Sequence, residues 1–183
     1  NKLRIKYISE LNRKELSKIL EIRNEDNVRK NMFSKHLITQ EEHTIWSENQ
    51  KNSKHDFFYG VLYADQLIGG LGLYNTNKKN ENSDWGFYIA TEVKVNGLGA
   101  ALEFKAIKFF FENFEIDKLI CFVYNHNSEV IRLHKKFGFL EISCDDSTVL
   151  KSKNIATKDL TCLCLPKVFW MTKEKEMLKK YFN

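Results

Sequence analysis

Two short stretches carry residue types whose spacing points to chemistry. The first, Lys94-Val95-Asn96-Gly97-Leu98-Gly99, stands between a predicted strand and a predicted helix. Glycines let a backbone approach a ligand closely, and a helix start supplies unpaired N–H groups and a partial positive charge. In physical terms that is a pyrophosphate site. The same glycines also suit a plain turn, and the residues alone leave both readings open. The stretch is neither a Rossmann fingerprint, which needs G-x-G-x-x-G and a following acid, nor a Walker loop. The second stretch, Asn125-His126-Asn127, leads into a helical pattern in which Asn127 is expected to be the cap and His134 lies two turns up. By residue type this is a capped helix with a surface histidine. The four cysteines, Cys121, Cys144, Cys162 and Cys164, show neither C-x-x-C nor a histidine pair at zinc spacing. No metal is expected of them, and they read as buried free thiols.

Elements on either side must hold these stretches in place. Leu3, Ile5 and Tyr7 alternate with Arg4 and Lys6, which predicts a strand over residues 3–8. Leu16, Ile19 and Leu20 give residues 12–22 a helical face behind Asn12, and Thr39 with Glu42 forms a capping box for a second helix carrying Ile45 and Trp46. Apolar runs at 57–63 and 67–74, separated by Ala64-Asp65-Gln66, predict a hairpin. After a polar loop at 75–83 come a strand at 84–90, a helix at 97–114, a buried strand at 119–124 and a helix at 128–137 ended by Gly138. A strand starting at 139–143 is expected to pair with one at 168–171, with Thr172 capping a short basic terminal helix. Residues 145–166 stay unassigned, although 160–165 fits a strand. This order is α+β with a mixed sheet, parallel where a helix links two strands.

Composition narrows the classes. A chain of 183 residues, 43% hydrophobic and 13% aromatic, buries a sizeable core in one domain spanning 1–183. That excludes wholesale disorder, and one proline with eight glycines excludes a proline-rich linker or a collagen-like array. No run of 18 apolar residues occurs and the first residues lack a signal-peptide core, so no membrane partner is expected and a cytoplasmic location is. The chain starts at Asn1 rather than Met, as a trimmed chain would. The net charge of +5 is too small and too spread to argue for nucleic acid, but it suits an anionic partner.

Taken together, the two stretches resemble the motifs of the GNAT superfamily of N-acetyltransferases. The family's phosphate loop, Gln/Arg-x-x-Gly-x-Gly/Ala after the fourth strand, is matched by Lys94, Gly97 and Gly99, with Lys at the first position. Its second motif, Asn-x-x-Ala/Ser-x-x-Leu-Tyr-x-Lys-x-Gly-Phe, is matched by Asn127, Leu133, Lys136, Gly138 and Phe139, while Val130 stands at the small position and His134 at the tyrosine. Leu67-Ile68-Gly69 suits the family's hairpin of second and third strands. The fold this implies is a mixed twisted sheet of about seven strands flanked by helices on both faces. Within the family the chain is similar to the acetyltransferases of nucleotide-linked 4-amino-4,6-dideoxy sugars in pseudaminic acid synthesis. The matching positions are Arg23-Asn24, Glu41-Glu42-His43, Thr76, Lys78 and Trp85-Gly86-Phe87-Tyr88.

This resemblance implies acetyl-CoA as donor and a nucleotide sugar as acceptor. The pyrophosphate is expected on Lys94, Val95, Asn96, Gly97, Leu98 and Gly99, helped by Asn127 and Arg132. The pantetheine is expected beside Phe87, Tyr88 and Ile89, and the sugar nucleotide beside Arg23, His43, Thr76, Lys78 and Tyr88. For chemistry the resemblance implies direct attack by the amine. Tyr88 and His43 would orient the amine or a water, and His134 would take the family tyrosine's place as acid, with Tyr124 as alternative. Two other readings share the motifs: an acetyltransferase of protein N-termini, ribosomal ones included, and a non-catalytic CoA-binding module. A homodimer is left open.

Overall fold

The computed structural model describes residues 2–76, 82–144 and 155–181. In chain order the elements are β1 (Leu3–Tyr7), α1 (Arg13–Arg23), α2 (Asp26–Arg29), α3 (Gln40–Asn52), β2 (Phe57–Tyr63), β3 (Gln66–Tyr74), β4 (Asn82–Ile89), α4 (Leu98–Asn113), β5 (Lys118–Tyr124), α5 (Ser128–Lys136), β6 (Leu140–Ile142), β7 (Leu160–Pro166) and α6 (Lys167–Tyr181). Local chemistry explains several of the bounds. At the start of α1, Asn12 Oδ1 accepts from Glu15 N at 3.0 Å while Glu15 Oε2 accepts from Asn12 N at 2.7 Å, and Thr39 with Glu42 closes the same reciprocal box at the start of α3. The β2–β3 turn puts both Ala64 and Asp65 at positive φ, the primed geometry whose twist matches the strands it joins.

The strands follow the order β1-β2-β3-β4-β5-β7-β6 in a mixed, open sheet, so the α+β expectation and the seven strands hold. β1, β2 and β3 form an antiparallel meander. β4 runs parallel to β5 over three residue pairs, Asn82 with Lys118 through Asp84 with Ile120, as expected where a helix links two strands. β7 pairs antiparallel with both β5 and β6.

Contacts divide the chain into two compact units, one of Asn1–Thr76 with Trp85–Leu102 and one of Asn77–Asp84 with Glu103–Asn183. In the first unit, Ile8, Leu11, Ile19, Ile22, Val28, Phe58, Leu67 and Ala90 make a buried cluster against which Trp46 and Tyr88 pack. In the second, Phe110, Leu119, Phe137 and Leu163 are fully buried, and Phe104 meets Trp170 at 5.5 Å between ring centroids.

Three expectations are corrected. Residues 168–171 are helix, not strand: only Trp170 of that run is buried, at 2%, while Val168, Phe169 and Met171 are 49–66% exposed, and Met177 falls two turns on from Trp170 on the same face. The partner of β6 is therefore β7, inside the stretch left unassigned, and α6 begins five residues before Thr172. Asn127 does occupy the cap position of α5, yet its side chain accepts no capping hydrogen bond; its N–H instead donates to Tyr124 O at 2.8 Å. The cysteines are not four free thiols: Cys144 and Cys162 form a disulfide with Cα atoms 5.5 Å apart, and Cys121 and Cys164 stay free and buried.

Candidate active site

In the first unit the loop after β4 is held from below. Thr91 N donates to Glu25 Oε2 at 2.7 Å and Val93 N to Ala90 O at 3.0 Å, which leaves Lys94 to Gly97 on the surface. Gly97 sits at φ +76, a left-handed conformation that costs a residue with a Cβ roughly 1–2 kcal/mol, with no atom within 4 Å of where that Cβ would be. Among the described residues, no protein acceptor takes the N–H groups of Lys94 to Gly97, Gly99 or Ala100. Such a row of free amides at the start of α4 fits a diphosphate.

The same unit holds an arginine–tyrosine cradle. Arg23, at the end of α1, donates from Nη2 to Ser34 O at 2.8 Å, while its buried Nη1 has no partner among the described residues. No carboxylate pairs with Arg23 among the described residues. Burial, and the like charge of Arg29, hold the guanidinium below its usual range, against the opposing pull of Tyr88 and Tyr74. Both tyrosines are shifted the other way: burial raises Tyr74 to about 12 and Tyr88 further, so neither hydroxyl ionises near neutral pH. Glycines in β3 make room for them, since a Cβ on Gly70 would stand 2.5 Å from Phe58 Cζ and 2.7 Å from Tyr88 Oη, and one on Gly72 would meet the Tyr74 hydroxyl.

Other expected residues lie elsewhere. His43 is buried in α3, where its Nε2–H donates to Leu16 O at 2.8 Å and its ring stacks on Trp46. Burial lowers its pKa and favours the neutral ring, whose Nε2 is committed to that carbonyl. Thr76 spends both its N–H and its hydroxyl on His55 O, each at 3.0 Å. Phe87 meets Trp85 at 5.9 Å between ring centroids with the planes tilted by 37°, Ile89 ends β4, and Lys78 lies outside the described residues.

In the second unit, Arg132 is exposed on α5 but His134 is not: it is 3% exposed. Its Nδ1 stands 2.8 Å from Oε1 of Glu103 in α4, and the Cys121 thiol of β5 also hydrogen-bonds the ring. The surface-histidine reading is therefore wrong. Burial alone would lower the imidazole; its electrostatic interactions and hydrogen bonds with Cys121 and Glu103 reverse that and raise it to about 10. Glu103 itself is pushed up by burial and pulled part of the way back by His134. Sequence reasoning missed Glu103, although a signal was there: Ile107 and Phe110 follow it at i+4 and i+7, both fully buried, so the carboxylate shares their face and needs a partner.

A seven-stranded mixed sheet thus carries a row of free amides where β4 gives way to α4. Residues 7–140 match the Acetyltransferase (GNAT) domain family, and the chain belongs to it: it is an acetyl-CoA-dependent N-acetyltransferase, as its motifs implied. It is 27% identical over 137 residues to acetyltransferase PseH of Campylobacter jejuni, an alignment covering 75% of this chain and 84% of that one. Its fold is similar to the crystal structure of C. jejuni PseH in complex with acetyl coenzyme A, with TM-score 0.66, 20% identity and coverage of 90% and 99%. It is also similar to spermidine N-acetyltransferase from Vibrio cholerae in complex with CoA and spermine, with TM-score 0.79, 18% identity and coverage of 93% and 98%. Among the described residues no helix is long and apolar enough to cross a membrane.

Proposed function

We propose that this enzyme acetylates the primary 4-amino group of a UDP- or dTDP-linked 4-amino-4,6-dideoxy sugar, in the cytoplasm, for a pseudaminic-acid-type glycan. The observation that carries this reading is Arg23, whose buried Nη1 faces no acceptor among the described residues, beside two tyrosines that stay protonated. A buried guanidinium without a carboxylate favours an anion, and a nucleotide sugar brings a diphosphate. A polyamine acceptor would bring more positive charge to Arg23 and Arg29. Similarity to PseH points the same way.

The donor's diphosphate takes the free amides of Val95 to Gly97 and of Gly99, with Lys94 adding positive charge, and Phe87, Tyr88 and Ile89 line its pantetheine arm. Arg23, Thr76 and Tyr88 hold the sugar nucleotide. The amine attacks in its free form. A sugar amine with a pKa of ~8 is about a tenth unprotonated at neutral pH, so a water relay suffices as base. Tyr88 keeps its proton and orients the amine or that water, and His43, already committed to Leu16, supports the wall behind it. His134 gives a proton to the leaving thiolate, whose pKa is ~8.5.

Acetyl transfer from acetyl-CoA, followed across UDP- and dTDP-linked 4-amino sugars, N-terminal peptides and spermidine, tests the reading. Turnover with the sugars is expected. Turnover confined to peptides or to spermidine overturns it.

A further inference from the structure

Glu103 is hard to explain as a stabilising residue. It lies on α4 between Leu102 and Phe104, its side chain is 0% exposed, and Ile107 and Phe110 bury the same helix face. Desolvating a carboxylate costs several kcal/mol, and a buried ion pair is often no more stabilising than apolar residues of the same size. Among the described residues Glu103 has one hydrogen-bond partner, Nδ1 of His134, and its Oε2 has none. The carboxylate is thus committed to one ring.

The geometry points to Glu103 as the positioning residue of this active site: it fixes the His134 imidazole through Nδ1 and supplies the negative charge that lets the ring keep a proton to give. This rests on the reading that His134 protonates the leaving thiolate. Bound at Nδ1, the ring cannot flip or change tautomer without breaking the 2.8 Å contact. The titratable groups that face it are Glu103 from α4 and Cys121 from β5; on its own helix Lys135 turns away to pair with Glu141 at 2.8 Å, and Lys136 is exposed. Phe139 covers the ring at 5.2 Å between centroids.

Acid strength gives the arrangement its purpose. An unpartnered imidazole with a pKa of ~6.5 is mostly neutral above neutral pH and has little proton to give. With Glu103 and Cys121 beside it, burial notwithstanding, His134 rises to about 10. That is the ordinary strength of a tyrosine, ~10, the residue usual at this position of the family motif. An acid so matched keeps its proton in the resting enzyme and shares it as the thiolate develops.

The test follows the side-chain nitrogens of His134 by NMR in the 15N-labelled full chain from about pH 6 to about pH 11, the signal identified by its loss in His134→Gln. In the wild type the ring stays doubly protonated through neutral pH, and in Glu103→Gln its ionisation constant changes by at least about tenfold toward the free value. An unchanged midpoint overturns the proposal. In acetyl transfer, Glu103→Gln lowers kcat about ten- to hundredfold, leaves the KM for acetyl-CoA within about twofold, and moves the basic limb of the kcat profile to lower pH. Glu103→Asp recovers part of this and carries the measurement if the Gln variant does not fold. A purely structural role would lower Tm while moving neither the limb nor the midpoint, and that result also overturns the proposal. A wild type that acetylates no sugar defeats the proposed function instead, while the nitrogen titration still decides for or against Glu103.

Discussion

At the scale of single residues, Arg23 is where geometry and chemistry agree most closely. A guanidinium that loses hydration and, among the described residues, gains only Ser34 O is under-satisfied, and an anion suits it as a partner. A charge-assisted hydrogen bond is worth about 1.5–3 kcal/mol, so Arg23→Gln is expected to raise the KM for the nucleotide sugar about ten- to hundredfold, with the KM for acetyl-CoA nearly unchanged. Steady-state kinetics with each substrate varied checks this, and an equal rise in both constants would tell against an acceptor role. Much at this scale was legible in the sequence. The spacing of Gly97 singles it out, and it does hold a positive φ that few other residues adopt. Less legible were partners distant in sequence. Nothing near His43 announces that Leu16 O will take its Nε2–H, and nothing near His134 announces a carboxylate 31 residues away.

At the scale of elements, α4, β5 and α5 each bring one member of the Glu103–Cys121–His134 group, so their packing is linked to protons. His134 has its folded pKa raised above the ~6.5 of an unfolded chain, which means the folded state binds the extra proton. Its stabilising contribution is fully present below ~6.5 and is lost as pH rises toward about 10. Glu103, also raised, acts with the same sign from its own unfolded value of ~4.5 upward. One proton gives a slope of at most about 1.4 kcal/mol per pH unit. Urea midpoints at about pH 6.5 and about pH 9.5 should therefore fall further in the wild type than in His134→Gln. Equal falls would show that the group does not couple to folding. Most elements could be read because caps and periodicity are local signals. The C-terminal part could not, for a physical reason: β7 is buried at Leu160 and from Cys162 to Leu165, so it lacks the alternation of a half-exposed strand, while the apolar start of α6 has the composition of a strand but is mostly exposed.

At the scale of the whole molecule, the disulfide bears on where and how the chain is stable. Cys144 follows β6, Cys162 lies in β7, and the two stand 18 positions apart in a sequence that includes the stretch 145–154 between them. β6 has three residues, all exposed, and among the described residues it pairs with β7 alone, so those contacts hold it weakly. Closing a loop of about this length removes roughly 3 kcal/mol of chain entropy from the unfolded state. In a reducing compartment such bonds are rare, and the two thiols there would be free, leaving β6 to its pairing with β7. Chain purified in air should therefore show two reactive thiols when denatured and four after reduction, two fewer than its four cysteines while the bond is intact. Reduction, or Cys144→Ser with Cys162→Ser, should lower the unfolding free energy by about 2–4 kcal/mol. Acetyl transfer should stay within about twofold, because neither sulfur touches the Glu103–His134 pair or the Arg23 cradle. Four reactive thiols before reduction, together with an unchanged midpoint after it, would rule the crosslink out.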